Sequence, residues 1–203
     1  MTRVKLCGIT SLEDAQLCLE HRPWALGLIF AGQSPRRVKV GIAAEIAAAV
    51  RRQVEVVGVF QNATLDHVAR TAEQVGLSIV QLHGDEGPSF CGEVARRTGA
   101  KVMKAVRVRS EEEVRSLRAF HVDLHLCDGP GGGEPFDWSL ARVRRSDVPL
   151  VVAGGLTAEN VGAAIEATRP FAVDVASGVE ARPGVKDPEK VAAFVRAAEG
   201  ALV

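Results

Sequence analysis

No stretch of this 203-residue chain approaches the roughly 18 consecutive apolar residues that a membrane-spanning helix needs. An excess of either charge is also missing: 25 Lys and Arg stand against 25 Asp and Glu, for a formal net charge of zero at pH 7. That balance removes the overall electrostatic footprint of a nucleic-acid or anionic-membrane binder, while leaving room for a local patch that holds a small anion. The four cysteines, Cys7, Cys18, Cys91 and Cys127, are scattered, with neither CxxC pairs nor the clustering of a disulfide framework or a zinc site. No charged-then-apolar leader precedes the first apolar segment. A reduced, cytoplasmic setting is the expectation. Tyrosine is absent and arginine greatly outnumbers lysine, which reads as a signature of genome or growth temperature rather than of function. Neither a linker, a low-complexity stretch nor a shift in composition marks a second domain, so residues 1–203 are expected to form one.

What the chain does have is an alternation. Short apolar runs recur at 3–7 (RVKLC), 25–30 (ALGLIF), 54–60, 78–82, 101–106, 123–128 (DLHLCD), 149–154 (PLVVAG) and 171–176 (FAVDVA). Several are continuous or nearly so in apolar residues, as parallel strands buried on both faces must be. Between them lie segments of helical character at about 11–21, 41–52, 64–75, 88–98, 110–119, 137–146, 157–167 and 187–200. Ser or Thr ahead of Glu13 and Asp14, the SEEEV at 110–114, the TAEN at 157–160 and the DPEK at 187–190 are helix-starting signals. Eight strands alternating with eight helices predict a parallel sheet, and eight units close a (β/α)8 TIM barrel, for which about 200 residues is the lower size limit. An open doubly wound sheet is the alternative, but no G-x-G-x-x-G follows the first strand.

In such barrels the chemistry sits at the carboxyl ends of the strands. Cys7 stands at the end of the first. Packing is the default role for a free cysteine, and a thiol becomes a base or nucleophile only where a substrate cation or a positive local field lowers its pKa from about 8.5. Asp128 closes the sixth strand ahead of the glycine-rich GPGGGEP, where it suits a general acid or base beside a lid, or merely caps its loop. Cys127 should face the other side of that strand. Gly154 and Gly155 after the seventh strand, with Ser177 and Gly178 at the end of the eighth, occupy the two corners where barrels commonly hold phosphate on bare backbone N–H groups. Arg36, in the loop after the second strand, suits a planar carboxylate gripped by two parallel hydrogen bonds, or else a solvated surface. Gln81 and His83 end the fourth strand; His83 has no second ligand at a metal-like spacing, and hydrogen bonding in the pocket suits it better.

Taken together, KLCGIT, GLIF…SPR, VGVF, VQLHG, FDWS, AGGLTAENV and FAVDVASGVE…PGVKD resemble the phosphoribosylanthranilate isomerases of tryptophan biosynthesis, in order and from end to end. The resemblance implies a (β/α)8 barrel that carries out an Amadori rearrangement of N-(5′-phosphoribosyl)anthranilate, the third step from chorismate, with no cofactor and no metal. It implies Cys7 as general base, Asp128 as general acid and Arg36 facing the anthranilate carboxylate. It also implies a phosphorylated small-molecule substrate, no nucleic-acid or membrane partner, and a monomer or homodimer. Glu134-Pro135 departs from the lysine and small polar residue that relatives often carry there, which bears on the lid rather than the chemistry. The doublet Arg36-Arg37 leaves the choice of arginine to position, which favours Arg36. Competing readings are another phosphate-binding barrel such as a sugar-phosphate epimerase, and a non-catalytic sugar-phosphate-binding module.

Overall fold

Eight strands close into a parallel barrel in the computed structural model, which describes residues 2–32, 34–131 and 134–201. They are β1 (Arg3–Cys7), β2 (Ala25–Ile29), β3 (Glu55–Phe60), β4 (Ile79–Leu82), β5 (Lys101–Arg107), β6 (Leu124–Asp128), β7 (Leu150–Val152) and β8 (Ala172–Val175). Each pairs in parallel with the next, and β8 returns to β1. Closure satisfies every strand's backbone groups and leaves no open edge. The barrel, not the open sheet, is therefore the architecture.

Two apolar layers explain why the strands read as nearly continuous hydrophobic runs. Val57, Ile79, Met103, Leu124, Leu126 and Val151 point inward and pack on each other inside the barrel. Their neighbours in sequence, such as Val56, Val80, Val102, Cys127 and Val152, point outward and pack under the helices. Period-two alternation thus puts both faces of each strand into a core. Cys127 is among the outward residues, as its position beside Asp128 requires, and burial pushes its thiol up to about 12.

The connecting helices are α1 (Leu12–Leu19), α2 (Val40–Val50), α3 (Leu65–Val75), α4 (Pro88–Thr98), α5 (Glu111–Ser116), α6 (Val161–Thr168) and α7 (Pro188–Gly200). Three of the expected starts have the expected chemistry. Ser11 accepts from the Asp14 amide at 3.1 Å, Ser110 and Glu113 form a reciprocal capping box, and Asp187 accepts from the amides of Glu189 and Lys190. The fourth differs: α6 begins at Val161 because Asn160 is committed to the loop before it, its Oδ1 accepting from the Thr157 amide and its Nδ2 donating to the Gly155 carbonyl.

A second difference lies between β6 and β7, where a 3-10 helix, Trp138–Arg144, replaces the expected α-helix. At about 2.0 Å rise per residue against 1.5 Å, the seven residues of a 3-10 turn cover what an α-helix would need roughly nine to span. The chain ends with a 3-10 turn at Ser177–Val179, a short hairpin of β9 (Glu180–Arg182) and β10 (Val185–Lys186), and α7. None of the helices among the described residues is long and apolar enough to cross a membrane.

Candidate active site

The carboxyl ends of the strands surround a cleft of about 240 Å³. It is lined by Cys7 from β1, Gln81 and His83 from β4 and its loop, Asp128 from β6, Gly154 and Gly155 after β7, and Asp174 and Ser177 from β8 and its loop. Seven of the nine residues singled out from sequence therefore meet in one place. Gly178 and Arg36 stand just outside that lining.

Cys7 faces the interior for a reason visible in β2. Gly27 is its register partner, and a side chain built there would lie 2.6 Å from the Cys7 sulfur. The missing side chain of β2 is the space into which Sγ fits. Burial pushes the Cys7 thiol above its ordinary value, while the nearby ammonium groups of Lys5 and Lys186 pull it back down.

Asp128 is held by its surroundings on both oxygens. Its Oδ1 accepts from the Gly129 amide at 2.9 Å, and its Oδ2 lies 3.2 Å from His83 Nε2. Gln81 Nε2 lies 3.0 Å from His83 Nδ1. With the Gln81 amide donating to Nδ1, His83 carries its proton on Nε2 and donates it to Asp128. The three residues form a line from the floor of the barrel to its rim, and the hydrogen-bonding role expected for His83 is what the geometry gives it.

Arg36 is not a solvated arginine. Glu180 takes its Nε at 2.9 and 3.0 Å and its Nη2 at 2.8 Å, and these bonds raise the guanidinium's already high pKa. The stem lies over Gly8, whose φ of +79° places the backbone where a side chain would come within 2.8 Å of Arg36 Cδ. Underneath, Lys186 Nζ donates to the carbonyls of Cys7 (2.7 Å) and Ala176 (3.1 Å) and lies 3.3 Å from Glu180. This buried network presents Nη1 on the side of Arg36 away from Glu180, whereas Arg37 is exposed and, among the described residues, its side chain reaches only the Gly32 carbonyl at 3.5 Å.

The loops after β7 and β8 approach the cleft with main chain. The amides of Gly154 and Gly155 donate to no protein acceptor among the described residues. Gly154 has φ +89°, and a side chain there would lie 2.1 Å from the Gly129 nitrogen. A side chain on Gly178 would lie 2.0 Å from the Leu156 carbonyl, so this glycine locks the two loops together rather than facing the cleft. Gly154→Ala should destabilise the fold by at least about 2 kcal/mol through overpacking and positive-φ strain, read as a lower urea midpoint at unchanged slope; an unshifted midpoint would mean that the loop has room to yield.

Four buried charged residues beside the cleft escaped the sequence reading: Lys5, Asp174, Glu180 and Lys186. Each is charged and 8 % exposed or less. For Lys5 and Asp174 the available signal was a charge of each sign in the middle of strands that must be buried on both faces; Glu180 and Lys186 lie on the later hairpin and carried no such signal. On the other flank, β2 and β3 line the cleft with Ile29 and Val59, while Phe30 and Phe60 stack at 5.2 Å in the layer under the helices. That apolar wall offers none of the ligands that a metal-dependent epimerase needs at those strand ends.

A closed parallel barrel that gathers a thiol, a carboxyl and glycine-bearing loops on its carboxyl rim has the architecture of the (β/α)8 enzymes. The sequence model of N-(5′phosphoribosyl)anthranilate (PRA) isomerase matches residues 4–197, and the chain belongs to this family. An N-(5′-phosphoribosyl)anthranilate isomerase of Citrifermentans bemidjiense is 46% identical over 205 residues, covering 98% of each chain. The crystal structure of phosphoribosyl anthranilate isomerase from Thermus thermophilus superposes with a TM-score of 0.90 at 36% identity, covering 97% of this chain and 98% of that one. A second structure of the enzyme, in complex with reduced 1-(o-carboxyphenylamino)-1-deoxyribulose 5-phosphate, is 42% identical with a TM-score of 0.88, covering 98% of this chain and all of that one.

Proposed function

We propose that the chain, as one catalytic domain in the cytoplasm, converts N-(5′-phosphoribosyl)anthranilate to 1-(2-carboxyphenylamino)-1-deoxyribulose 5-phosphate by general acid–base catalysis in the cleft. One observation carries the reading. Cys7 and Asp128 stand on β1 and β6, and the two strands between them, β7 and β8, carry the glycine loops. A phosphate seated on those loops tethers the sugar between acid and base.

The chemistry follows from that placement. Asp128, as the acid, gives its proton to the ring oxygen as the C1′–O bond breaks, and the anthranilate nitrogen's lone pair forms the iminium. The cation acidifies the C2′ hydrogen, which the Cys7 thiolate removes, leaving an enolamine. Proton gain at C1′ and loss from the C2′ hydroxyl give the ketone. The proton on sulfur and the one lost by Asp128 balance, so the enzyme returns to its starting state by exchange with solvent. Gln81 and His83 hold the acid in place, and Arg36 receives the anthranilate carboxylate on the edge that Glu180 leaves free.

The direct test generates the fluorescent substrate in situ, in the presence of a metal chelator, and follows the loss of its fluorescence. Folded wild-type protein that binds without turnover would leave only a sugar-phosphate-binding module. Arg36→Lys should raise KM about tenfold or more with kcat little changed, because one ammonium shared with Glu180 cannot offer two parallel hydrogen bonds to a carboxylate. Unaltered KM would remove Arg36 from substrate recognition.

A further inference from the structure

Inside the barrel, where only apolar side chains are expected, two opposite charges face each other. Lys5 is completely buried and Asp174 is 8 % exposed. They are register partners on β1 and β8, with Lys5 Nζ 2.8 Å from Asp174 Oδ2. Lys5 precedes Cys7 by two residues, so both point to the same side of β1, which brings the charge of the ammonium to bear on the thiol. The other carboxylate oxygen, Asp174 Oδ1, is buried and has no hydrogen-bond partner among the described residues. Asp174 also lines the cleft. A buried carboxylate oxygen without a donor is costly, and in a binding cleft it marks a place for a ligand's donor.

We infer that Lys5 controls the charge on Cys7, and that the free oxygen of Asp174 receives a hydroxyl of the bound sugar, so that filling the cleft strengthens the ammonium's hold on the thiolate. The inference deepens the proposed isomerisation and takes its catalytic meaning from it. Lys5 is a positioning residue here, acting through the sulfur.

The groups around the thiol decide the direction of each effect. Charged side chains face it from β1 (Lys5), β8 (Asp174) and β10 (Lys186), and from the loop after β2 (Arg36). Burial acts first, raising the thiol; Lys5 lowers it, Asp174 raises it and Lys186 lowers it. For Lys5 itself burial opposes the charge, but Asp174 and Cys7 outweigh it and hold the ammonium above its ordinary value. In the free protein, therefore, the carboxylate and the sulfur compete for a single ammonium. A hydroxyl donating to Oδ1 disperses the carboxylate's charge, which weakens both its grip on Lys5 and its repulsion of the thiolate. The ligand class is a polyol phosphate with a hydroxyl beside the reacting carbon. An empty cleft leaves the thiol above its ordinary value; an occupied one brings it back towards the base that the reaction uses.

The test reads the thiol directly, by carbon NMR of protein labelled at the cysteine β-carbons, with Cys7→Ser supplying the assignment. Asp174→Asn should lower the Cys7 titration, since the ammonium then serves sulfur alone. The double variant Lys5→Met/Asp174→Asn should titrate at least one pH unit above Asp174→Asn. That pair isolates Lys5 without stranding a lone buried carboxylate, which would threaten the fold of Lys5→Met alone. Saturating reduced 1-(o-carboxyphenylamino)-1-deoxyribulose 5-phosphate should lower the wild-type titration, whereas inorganic phosphate should not, and the drop should vanish in Asp174→Asn. Equal titrations in the single and double variants would overturn the role of Lys5. An equal ligand-induced shift in wild type and Asp174→Asn would overturn the hydroxyl site. If the analogue fails to bind wild type at all, the proposed isomerisation fails, while the role of Lys5 still stands or falls on the free-protein titrations.

Discussion

Cys7→Ser is expected to lower kcat by at least about a thousandfold while product affinity stays within roughly tenfold of wild type. Oxygen replaces sulfur in the hollow beside Gly27, so nothing is crowded and the strand pairing of Cys7 with Gly27 is kept. What changes is acidity. A serine hydroxyl yields its proton far less readily than even a buried thiol, and the ammonium of Lys5 cannot close that gap. Binding rests on the glycine loops and Arg36, which the substitution does not touch. The pair of measurements is therefore diagnostic: single-turnover fluorescence decay for the chemistry, calorimetry for the product. A variant whose kcat stays within tenfold of wild type would sink the assignment of Cys7 as base.

Asp128→Asn should cost between about 10² and 10⁴ in kcat, again with binding largely preserved. The amide has the shape of the carboxyl, and its oxygen can still accept from the Gly129 amide or from His83. It cannot deliver a proton to a departing ring oxygen. Because Asp128 acts before Cys7, the variant should also stop before any iminium forms, so substrate fluorescence persists even in a single turnover with excess enzyme. Decay at the wild-type rate would transfer the role to His83, the other titratable group at this point of the rim. The sign of the pH dependence follows from the same chemistry. The Cys7 thiol is pushed up by burial, so the limb of kcat/KM that reports the base rises with pH and is fully developed only above the ordinary cysteine range.

Much of this was legible in the sequence because parallel strands have to be apolar on both faces and barrels place their chemistry at strand ends. Counting eight units places Cys7, Asp128 and the glycine pair at strand ends, while position left packing and loop capping open and the catalytic roles came from the family resemblance. Arg36 was not legible in this way: a loop arginine looks the same in sequence whether it is solvated or held, and what holds it, Glu180, lies 144 residues away. Nor did Lys5 and Asp174 announce themselves, since their meaning depends on β8 closing onto β1, a contact no local pattern encodes. The helix expected at 137–146 failed for the opposite reason. Its local composition is adequate for an α-helix, and the segment takes a seven-residue 3-10 helix instead.

The network of Glu180 and Lys186 bears on when this molecule becomes active as it is made. Lys186 grips the carbonyl of Cys7 across 179 residues of chain, and Glu180 holds the arginine of the second loop. The thiol and the arginine thus depend on a brace that leaves the ribosome long after they do. A nascent chain that has not yet made this hairpin carries the thiol and the arginine without their anchors, so competence should arrive abruptly once the hairpin is in place, rather than growing as the barrel is built.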